Sequence, residues 1–284
     1  MSESPGSRAA HPIVSALDRL GGAVRGGGSL LLCGLSYFGG LTRLLLATST
    51  RAAAVFSRRH KFSTSALAAQ MVRFGVKSVP IVVVVQVFIG LILALQLAPT
   101  LRDYGQLERV AEVVGIAIVR ELGPLLTAVV FSGFAGASIA AEIGAMVEGE
   151  EVKALRAHAL DPIRFLAVPR VLATTTMIVA LTVMADFFGV LGGLICSAWI
   201  LKIPPALYLN LTEAAVSTTD FVTGLVKAAV FGAVISLIAC FEGFRVRGGP
   251  SGVGRATTTT VVRSIVAVIA IDALFTSAFY ALGL

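Results

Sequence analysis

The sequence SVPIVVVVQVFIGLILALQLA, residues 78–98, decides the fold class. It carries no charged side chain, and an α-helix of about 20 apolar residues is long enough to cross the hydrocarbon core of a bilayer. Similar apolar runs follow at about residues 122–146, 167–200, 221–243 and 258–282. The sequence therefore predicts an all-α integral membrane protein with about five transmembrane helices.

The composition of the whole chain agrees with this fold class. The chain has 284 residues, of which 56% are hydrophobic and 14% are charged, whereas about 25% of the residues in a soluble domain are charged. The net charge of +7 is compatible with nucleic-acid binding. Its charged residues, however, lie between the apolar runs, as in membrane proteins that fix their orientation with basic loops. We therefore expect no nucleic-acid partner.

The distribution of Lys and Arg predicts the orientation of a multi-pass protein. With the N-terminus in the cytoplasm, the external connectors hold only Arg102, Arg109, Arg120 and Lys202. The cytoplasmic connectors then hold a larger basic set, Lys153, Arg156, Arg164, Arg245, Arg247 and Arg255. Basic residues are enriched in cytoplasmic loops, so we expect the C-terminus to face outward.

Three segments organise the chain. Residues 1–28 are rich in Gly, Ser and Arg, lack the apolar core of a signal peptide, and are predicted to be disordered, retained and cytoplasmic. Residues 29–77 contain an apolar stretch, 29–56, with a polar stripe and Arg43, followed by a basic connector. This stretch favours a helix in the membrane interface, with a true span as the alternative, because Arg at the bilayer centre costs about 2.5 kcal/mol or more. Residues 78–284 form the membrane domain.

Small residues recur every four positions in the second apolar run. They form two ridges, Gly133–Ala137–Ala141 and Gly136–Ala140–Gly144. Such ridges let helix backbones approach closely in lipid. The sequence leaves open whether they pack within one chain or line a subunit interface or a cavity.

A charged segment follows that run, from Val147 to Arg156, and is predicted to be a short cytoplasmic helix. Glu148 and Glu151 lie near each other on one face, and Val152 and Leu155 share another. Such a helix is either a docking element or an ordinary solvated loop, and the residues alone do not separate the two.

Several ionisable residues fall within the apolar runs, where they are costly, and four of them are candidates for a structural or functional role. They are Glu142, Asp186, Lys227 and Asp272. Lys227 and Asp272 both lie in the outer half of their helices and are expected to pair. A structural ion pair is favoured over a proton relay, although an ion-gradient-coupled secondary transporter remains an alternative, as does a scaffold that transports nothing.

No motif indicates chemistry by this chain itself. It has no G-x-x-x-x-G-K-[ST] phosphate loop, and the glycine-rich segment 248–254 follows a membrane run and is predicted to be a turn. His11, His60 and His158 show no metal-ligand spacing. We therefore expect no catalytic residue, no metal and no bound cofactor.

Several motifs together resemble the MlaE/YrbE permease family over about residues 70–284. They are Arg120–Pro124 (RELGP), Ala140–Met146 (AAEIGAM), Asp161–Ala173 (DPIRFLAVPRVLA) and Gly252–Thr258 (GVGRATT). The family's cytoplasmic coupling motif, usually Glu-x-Ile-Asp-Ala-Leu, is similar to Glu150–Leu155, with Lys153 in place of Asp. The resemblance thus implies ATPase coupling through Glu148, Glu150, Glu151, Val152, Lys153 and Leu155.

The resemblance also implies partners and a cargo. It implies an inner-membrane ABC transporter with two permease copies, expected to be identical, and a cytoplasmic ATPase dimer that binds ATP and Mg²⁺. It further implies an external ring of MCE proteins and transport of phospholipids or other hydrophobic molecules. Val87, Leu91 and Leu95 are candidates for the lipid cavity, and Tyr104, Leu107 and Val110 for contact with the external partner.

Overall fold

The computed structural model describes residues 34–53 and 64–282, all of them in helices or short connections. The prediction of disorder for residues 1–28 lies outside these ranges. Ala47–Leu284 forms one compact unit. The helix α1 comprises residues 34–53. Of Met1–Leu46, the structure describes the first part of this helix, residues 34–46. The described ranges contain no β-strand.

The helices of the membrane domain follow in chain order. α2 comprises Thr64–Gln70, Met71–Gly75, Val76–Ser78 and Val79–Asp103. α3 comprises Leu107–Arg109, Val110–Ala117, Ile118–Leu122, Gly123–Phe131, Ser132–Gly136 and Ala137–Glu148. α4 is Glu151–Ala157, α5 comprises Ile163–Ala167 and Val168–Trp199, α6 is Pro205–Ala215, α7 is Thr218–Phe244 and α8 is Gly249–Leu282.

Five helices of the described chain are long and apolar enough to cross a membrane, which confirms the predicted number. They are the segments Leu67–Asp103, Leu107–Glu148, Ile163–Trp199, Thr218–Phe244 and Gly249–Leu282 of α2, α3, α5, α7 and α8. α1 is not among them. The placement of residues 29–56 in the membrane interface stays a prediction.

These helices extend further than the apolar runs. The structure places residues 107–121 and 249–257, expected as connectors, in helices, and it adds α6 within the connector 201–220. A hydropathy pattern marks only the part of a helix that lipid covers, whereas the hydrogen-bonded ladder continues into polar turns. The glycine-rich turn is correspondingly short. Gly248 and Gly249 have φ of +94° and +71°, and α8 begins there.

α5 is the central helix of the bundle and packs against both α2 and α7. Its closest approach is to α2, where Gly90 faces the backbone carbonyl of Gly189 and Gly192 faces that of Val87. A Cβ at either glycine would overlap backbone atoms, so neither helix can hold a larger residue there without moving apart. Close backbone contact at small residues is the usual basis of helix packing in lipid.

One end of the bundle, called here the α6 end, has its own apolar core. Tyr208 of α6 is fully buried against Val114 and Ile118 of α3 and Cys196 of α5. The Thr212 hydroxyl donates to the carbonyl of Ala111 at 3.3 Å and so ties α6 to α3. The other end, the α4 end, carries α4 between α3 and α5.

The α2–α5 contact predicts a stability difference between two glycine substitutions. Gly90→Ala should destabilise the bundle by about 1–3 kcal/mol because overpacking forces the two backbones apart. The matched control is Gly254→Ala in α8, where the new methyl group would meet no atom within 4 Å. Thermal unfolding of the purified permease in detergent should show a lower Tm for Gly90→Ala alone. Equal Tm values for the two variants would contradict the proposed packing.

Candidate functional site

The predicted charged helix is present as α4, and it is exposed. Gly149 and Glu150 form the turn between α3 and α4, with Glu150 in the left-handed region at a φ of +60°. Glu148, Glu150, Glu151 and Lys153 are all exposed, Val152 is buried, and Leu155 is half-buried. Val152 therefore anchors the helix while its charged residues point into solvent, which is the arrangement that a docking element requires.

Charges within α4 are partly compensated. The Lys153 ammonium donates to the Glu150 carboxylate at 2.6 Å. This hydrogen bond and the positive charge of Lys153 hold the pKa of Glu150 below its ordinary value. Glu150 is therefore ionised at neutral pH, and Glu148 and Glu151 remain as acidic groups outside this pair.

An ion-pair cluster at the α4 end connects α3 to its neighbours. Glu142, predicted as an intramembrane acid, pairs with Arg73 of α2 at 2.8 Å and with Arg170 of α5 at 3.1 Å. Arg170 is buried and also donates to the carbonyl of Leu166 at 2.9 Å. The helix that leads into α4 is thereby fixed to two other spans by charge-assisted contacts.

A second pair holds the chain where it leaves α4. Asp161, in the connection between α4 and α5, pairs with Arg51. The Asp161 carboxylate also accepts a hydrogen bond from the backbone N–H of Ile163 at 3.1 Å. The segments on both sides of α4 are thus held by ion pairs.

The expected pair of Lys227 and Asp272 is confirmed, with 3.0 Å between Nζ and Oδ1. Lys227 is 1% exposed and also pairs with Glu121 at 2.6 Å, while Thr276 accepts from its ammonium at 2.9 Å. One ammonium therefore lies between two carboxylates. This geometry supports a structural role, since removal of one partner leaves a buried charge unpaired.

Sequence reasoning missed Glu121 as a member of this cluster. The residue lies just before the apolar run 122–146 and was therefore assigned to a connector. In the structure it belongs to the π-helical turn Ile118–Leu122 inside α3. Such a turn inserts one residue into a helix and is frequent at functional sites. The RELGP motif, which contains Glu121, was the only feature of the sequence that pointed to this residue.

Asp186 is separate from both ion-pair clusters. It is 5% exposed, and it forms no hydrogen bond or ion pair with the residues that the structure describes. It lines a cavity of about 570 Å³ near the α6 end. No salt-bridge partner was predicted for it from the sequence.

The two small-residue ridges have different surroundings. A Cβ at Gly136 would touch Ile235 and Thr260, and a Cβ at Gly144 would overlap Val246, while Ala140 is buried. This ridge packs within the chain. In the other ridge Gly133 is exposed with open space around it, and Ala137 and Ala141 are half-buried. The second ridge therefore stays available for an interface or a cavity.

Of the three lipid-cavity candidates on α2, two lie inside the bundle and one faces outward. Val87 and Leu91 are half-buried, and both lie on the side of α2 that packs within the bundle. Leu95 is 38% exposed and shares the outward face with Ile81, Val84, Phe88 and Ile92. Near the α6 end, Tyr104 is exposed, but Val110 is buried and therefore not available for the expected external contact.

Comparison with known proteins gives one consistent family. The model of the MlaE permease family matches residues 67–278. A probable ABC transporter permease protein of Rickettsia prowazekii is 37% identical over 211 residues, which cover 74% of this chain and 82% of the relative.

Two further relatives carry more specific names. The intermembrane phospholipid transport system permease protein MlaE of Haemophilus influenzae is 31% identical over 218 residues, 76% of this chain and 84% of the relative. The chloroplastic protein TRIGALACTOSYLDIACYLGLYCEROL 1 of Arabidopsis thaliana is 32% identical over 211 residues, 74% of this chain and 60% of the relative. The family match covers most of the described chain, including α4, the Glu142 cluster and the Lys227 cluster. The chain therefore belongs to the MlaE permease family.

Proposed function

We propose that this chain is the membrane permease subunit of an ABC transporter that moves phospholipids or other hydrophobic molecules between membranes. The observation that carries the proposal is α4, an exposed charged helix anchored by Val152 at one end of a five-span bundle. A permease without a nucleotide site of its own needs such a contact to receive the energy of ATP hydrolysis from a separate subunit.

The ion pairs around α4 give a route for coupling. A push on α4 acts on α3 through the Gly149–Glu150 turn, and Glu142 carries it to Arg73 in α2 and Arg170 in α5. Coupling of two sites requires an element that both sites bias. Rigid-body tilting of helices that are joined by charge-assisted contacts fits this requirement.

Lys153 modifies the docking surface. The related coupling motif usually has Asp at this position, and here Lys153 pairs with Glu150 in the turn that precedes α4. Glu148 and Glu151 then form the acidic part that faces the ATPase. We infer that the partner subunit has a matching change opposite Lys153.

The proposed assembly has several components in and around the membrane. The orientation from the Lys and Arg distribution places α4 and the N-terminus in the cytoplasm, and the C-terminus outside the inner membrane. An ATPase dimer with ATP and Mg²⁺ binds at the α4 end, and an MCE-protein ring binds at the α6 end. A second, identical copy of the chain packs beside the first, and the exposed Gly133 ridge is a candidate for that contact.

The lipid route uses apolar surface that the bundle leaves uncovered. The outward face of α2, which includes Phe88, Ile92 and Leu95, is exposed along the membrane region. Between two copies, this face would enclose acyl chains away from water, where burial of apolar surface is favourable. The space enclosed between the two copies would open toward the external partner at the α6 end.

Charge reversal on α4 tests the docking role. We expect the double variant Glu148→Lys and Glu151→Lys to lose most ATPase co-purification, because two attractive charges become repulsive on an exposed contact surface. The control is Glu213→Lys on the exposed surface of α6, at the opposite end of the bundle. Both variants are purified from membranes and the bound ATPase is quantified. An unchanged complex in the double variant would overturn the docking role.

The energy source gives a second test. The full complex in liposomes should transfer a fluorescent phospholipid to acceptor vesicles only with ATP, and an ionophore that collapses proton and sodium gradients should not slow this transfer. Removal of the ATPase should abolish it, because the permease has no route of its own to ATP. Transfer by the permease alone under an ion gradient would instead support the secondary transporter.

A further inference from the structure

No described residue of α2 lines the cavity beside Asp186. Its volume is about 570 Å³, within the range of about 300–1,000 Å³ for small-molecule sites. Its walls are formed by α3, α5, α6 and the start of α7, with Val119, Phe187, Leu209 and Phe221 among the lining residues. Phe187 is 65% exposed and Leu209 is 49% exposed, so the cavity opens on the outside of the bundle.

Asp186 is the one charged residue in the lining of this cavity. It is held by a specific arrangement of the backbone, because Gly123 contacts its carboxylate and a Cβ at that position would overlap it. Gly123 directly follows the π-helical turn Ile118–Leu122. The carboxylate is therefore a built feature of the cavity wall and not a side chain at the edge of the membrane.

The polar atoms around this point lack a donor. Asp186 Oδ1 is enclosed without a hydrogen-bond partner, and so is Oε1 of Gln86, which lies near Gly189. The amide of Gln86 already donates to the carbonyls of Leu122 and Gly123, at 3.5 and 3.4 Å. A buried polar atom without a partner costs free energy. Oδ1 is enclosed against Gly123, but Asp186 lines the cavity and accepts no hydrogen bond from the described residues, so a ligand there can donate to its other carboxylate oxygen.

The chemistry of the lining selects the kind of donor. A phosphate or carboxylate headgroup would meet the like charge of Asp186 without any cation in the lining. An ammonium would have to be desolvated together with the carboxylate, and in an apolar site this penalty can exceed the attraction. A hydroxyl group both donates and accepts, so it satisfies the Asp186 carboxyl group in either protonation state.

We propose that this cavity binds a neutral lipid with an alcohol headgroup, such as a diacylglycerol, with its hydroxyl group on Asp186 and its acyl chains along the α5–α6–α7 wall. Ser217 and Thr218, at the start of α7, also line the cavity and add hydroxyl groups to an otherwise apolar surface. The site is separate from the proposed transport route along α2, and its existence does not depend on the proposed function.

Photolabelling compares two lipids on the unmodified permease. A diacylglycerol with a diazirine in one acyl chain is incorporated into nanodiscs that contain the purified protein, and labelled peptides are identified by mass spectrometry. We expect labels on the cavity segments of α5, α6 and α7. The same lipid with its hydroxyl group acetylated should label these segments about fivefold less, since it loses one hydrogen bond to a charged group.

Variants then assign the effect to the cavity. Asp186→Leu should remove the preference for the free hydroxyl, and Leu191→Trp should reduce labelling by filling the cavity. Asp186→Asn keeps an acceptor and should keep most of the preference. Ile195→Trp is the matched control, because Ile195 is an exposed residue of α5 that does not line the cavity. Gel filtration shows whether each variant is folded.

Three results would overturn the proposal. One is equal labelling by the free and the acetylated lipid. This comparison uses the unmodified protein, so it is conclusive even if Asp186→Leu fails to fold. Another is an unchanged hydroxyl preference in folded Asp186→Leu. The third is stronger labelling of the cavity by a diazirine phosphatidic acid than by the diacylglycerol, which would indicate a phosphate site.

Discussion

The close backbone contact between α2 and α5 is the constraint on which the rest of the bundle depends. Where Gly90 meets Gly189 and Gly192 meets Val87, the two helices leave no room for side chains. This contact fixes the position of α5, and α5 in turn carries residues of three different sites. Arg170 holds Glu142 at the α4 end, Asp186 lines the cavity, and Gly193 faces the buried Tyr208 at the α6 end. A shift of α5 would therefore alter all three.

The membrane fold was largely predictable from the sequence, because lipid imposes length and apolarity on each span. The number of spans agrees with the structure. Helix ends were less predictable, since a helix outside the hydrocarbon core has no hydropathy signal. α6 illustrates this limit. Its burial depends on Tyr208 packing into a core built from α3 and α5, which is a tertiary contact that no local pattern shows.

Some of the pairings between polar residues were predictable from the sequence and others were not. The pairing of Lys227 with Asp272 followed from their similar depth, because an intramembrane charge requires a partner. The third member, Glu121, depends on a π-helical turn that shifts the helix by one residue, and this shift has no clear sequence signature. Glu142 was recognised as an intramembrane acid, but its pairing with Arg73 required knowledge of which helices are neighbours.

α3 contains an acidic residue of each ion-pair cluster, with a π-helical turn between the two. Glu142 lies near α4, and Glu121 lies about 30 Å further along the helix, given a rise of about 1.5 Å per residue. Between them the helix is interrupted by the π-helical turn Ser132–Gly136, where its regular hydrogen-bond pattern changes. Ion pairs join one end to α2 and α5, and at the other end an ion pair joins Glu121 to α7 and a hydrogen bond joins it to Thr276 of α8. Because the helix is interrupted between the two clusters, its α4 end can move together with the parts of α2 and α5 to which it is paired, while the Lys227 cluster stays intact. Movement of α4 would then reshape the wall between the two clusters and leave the buried charges paired.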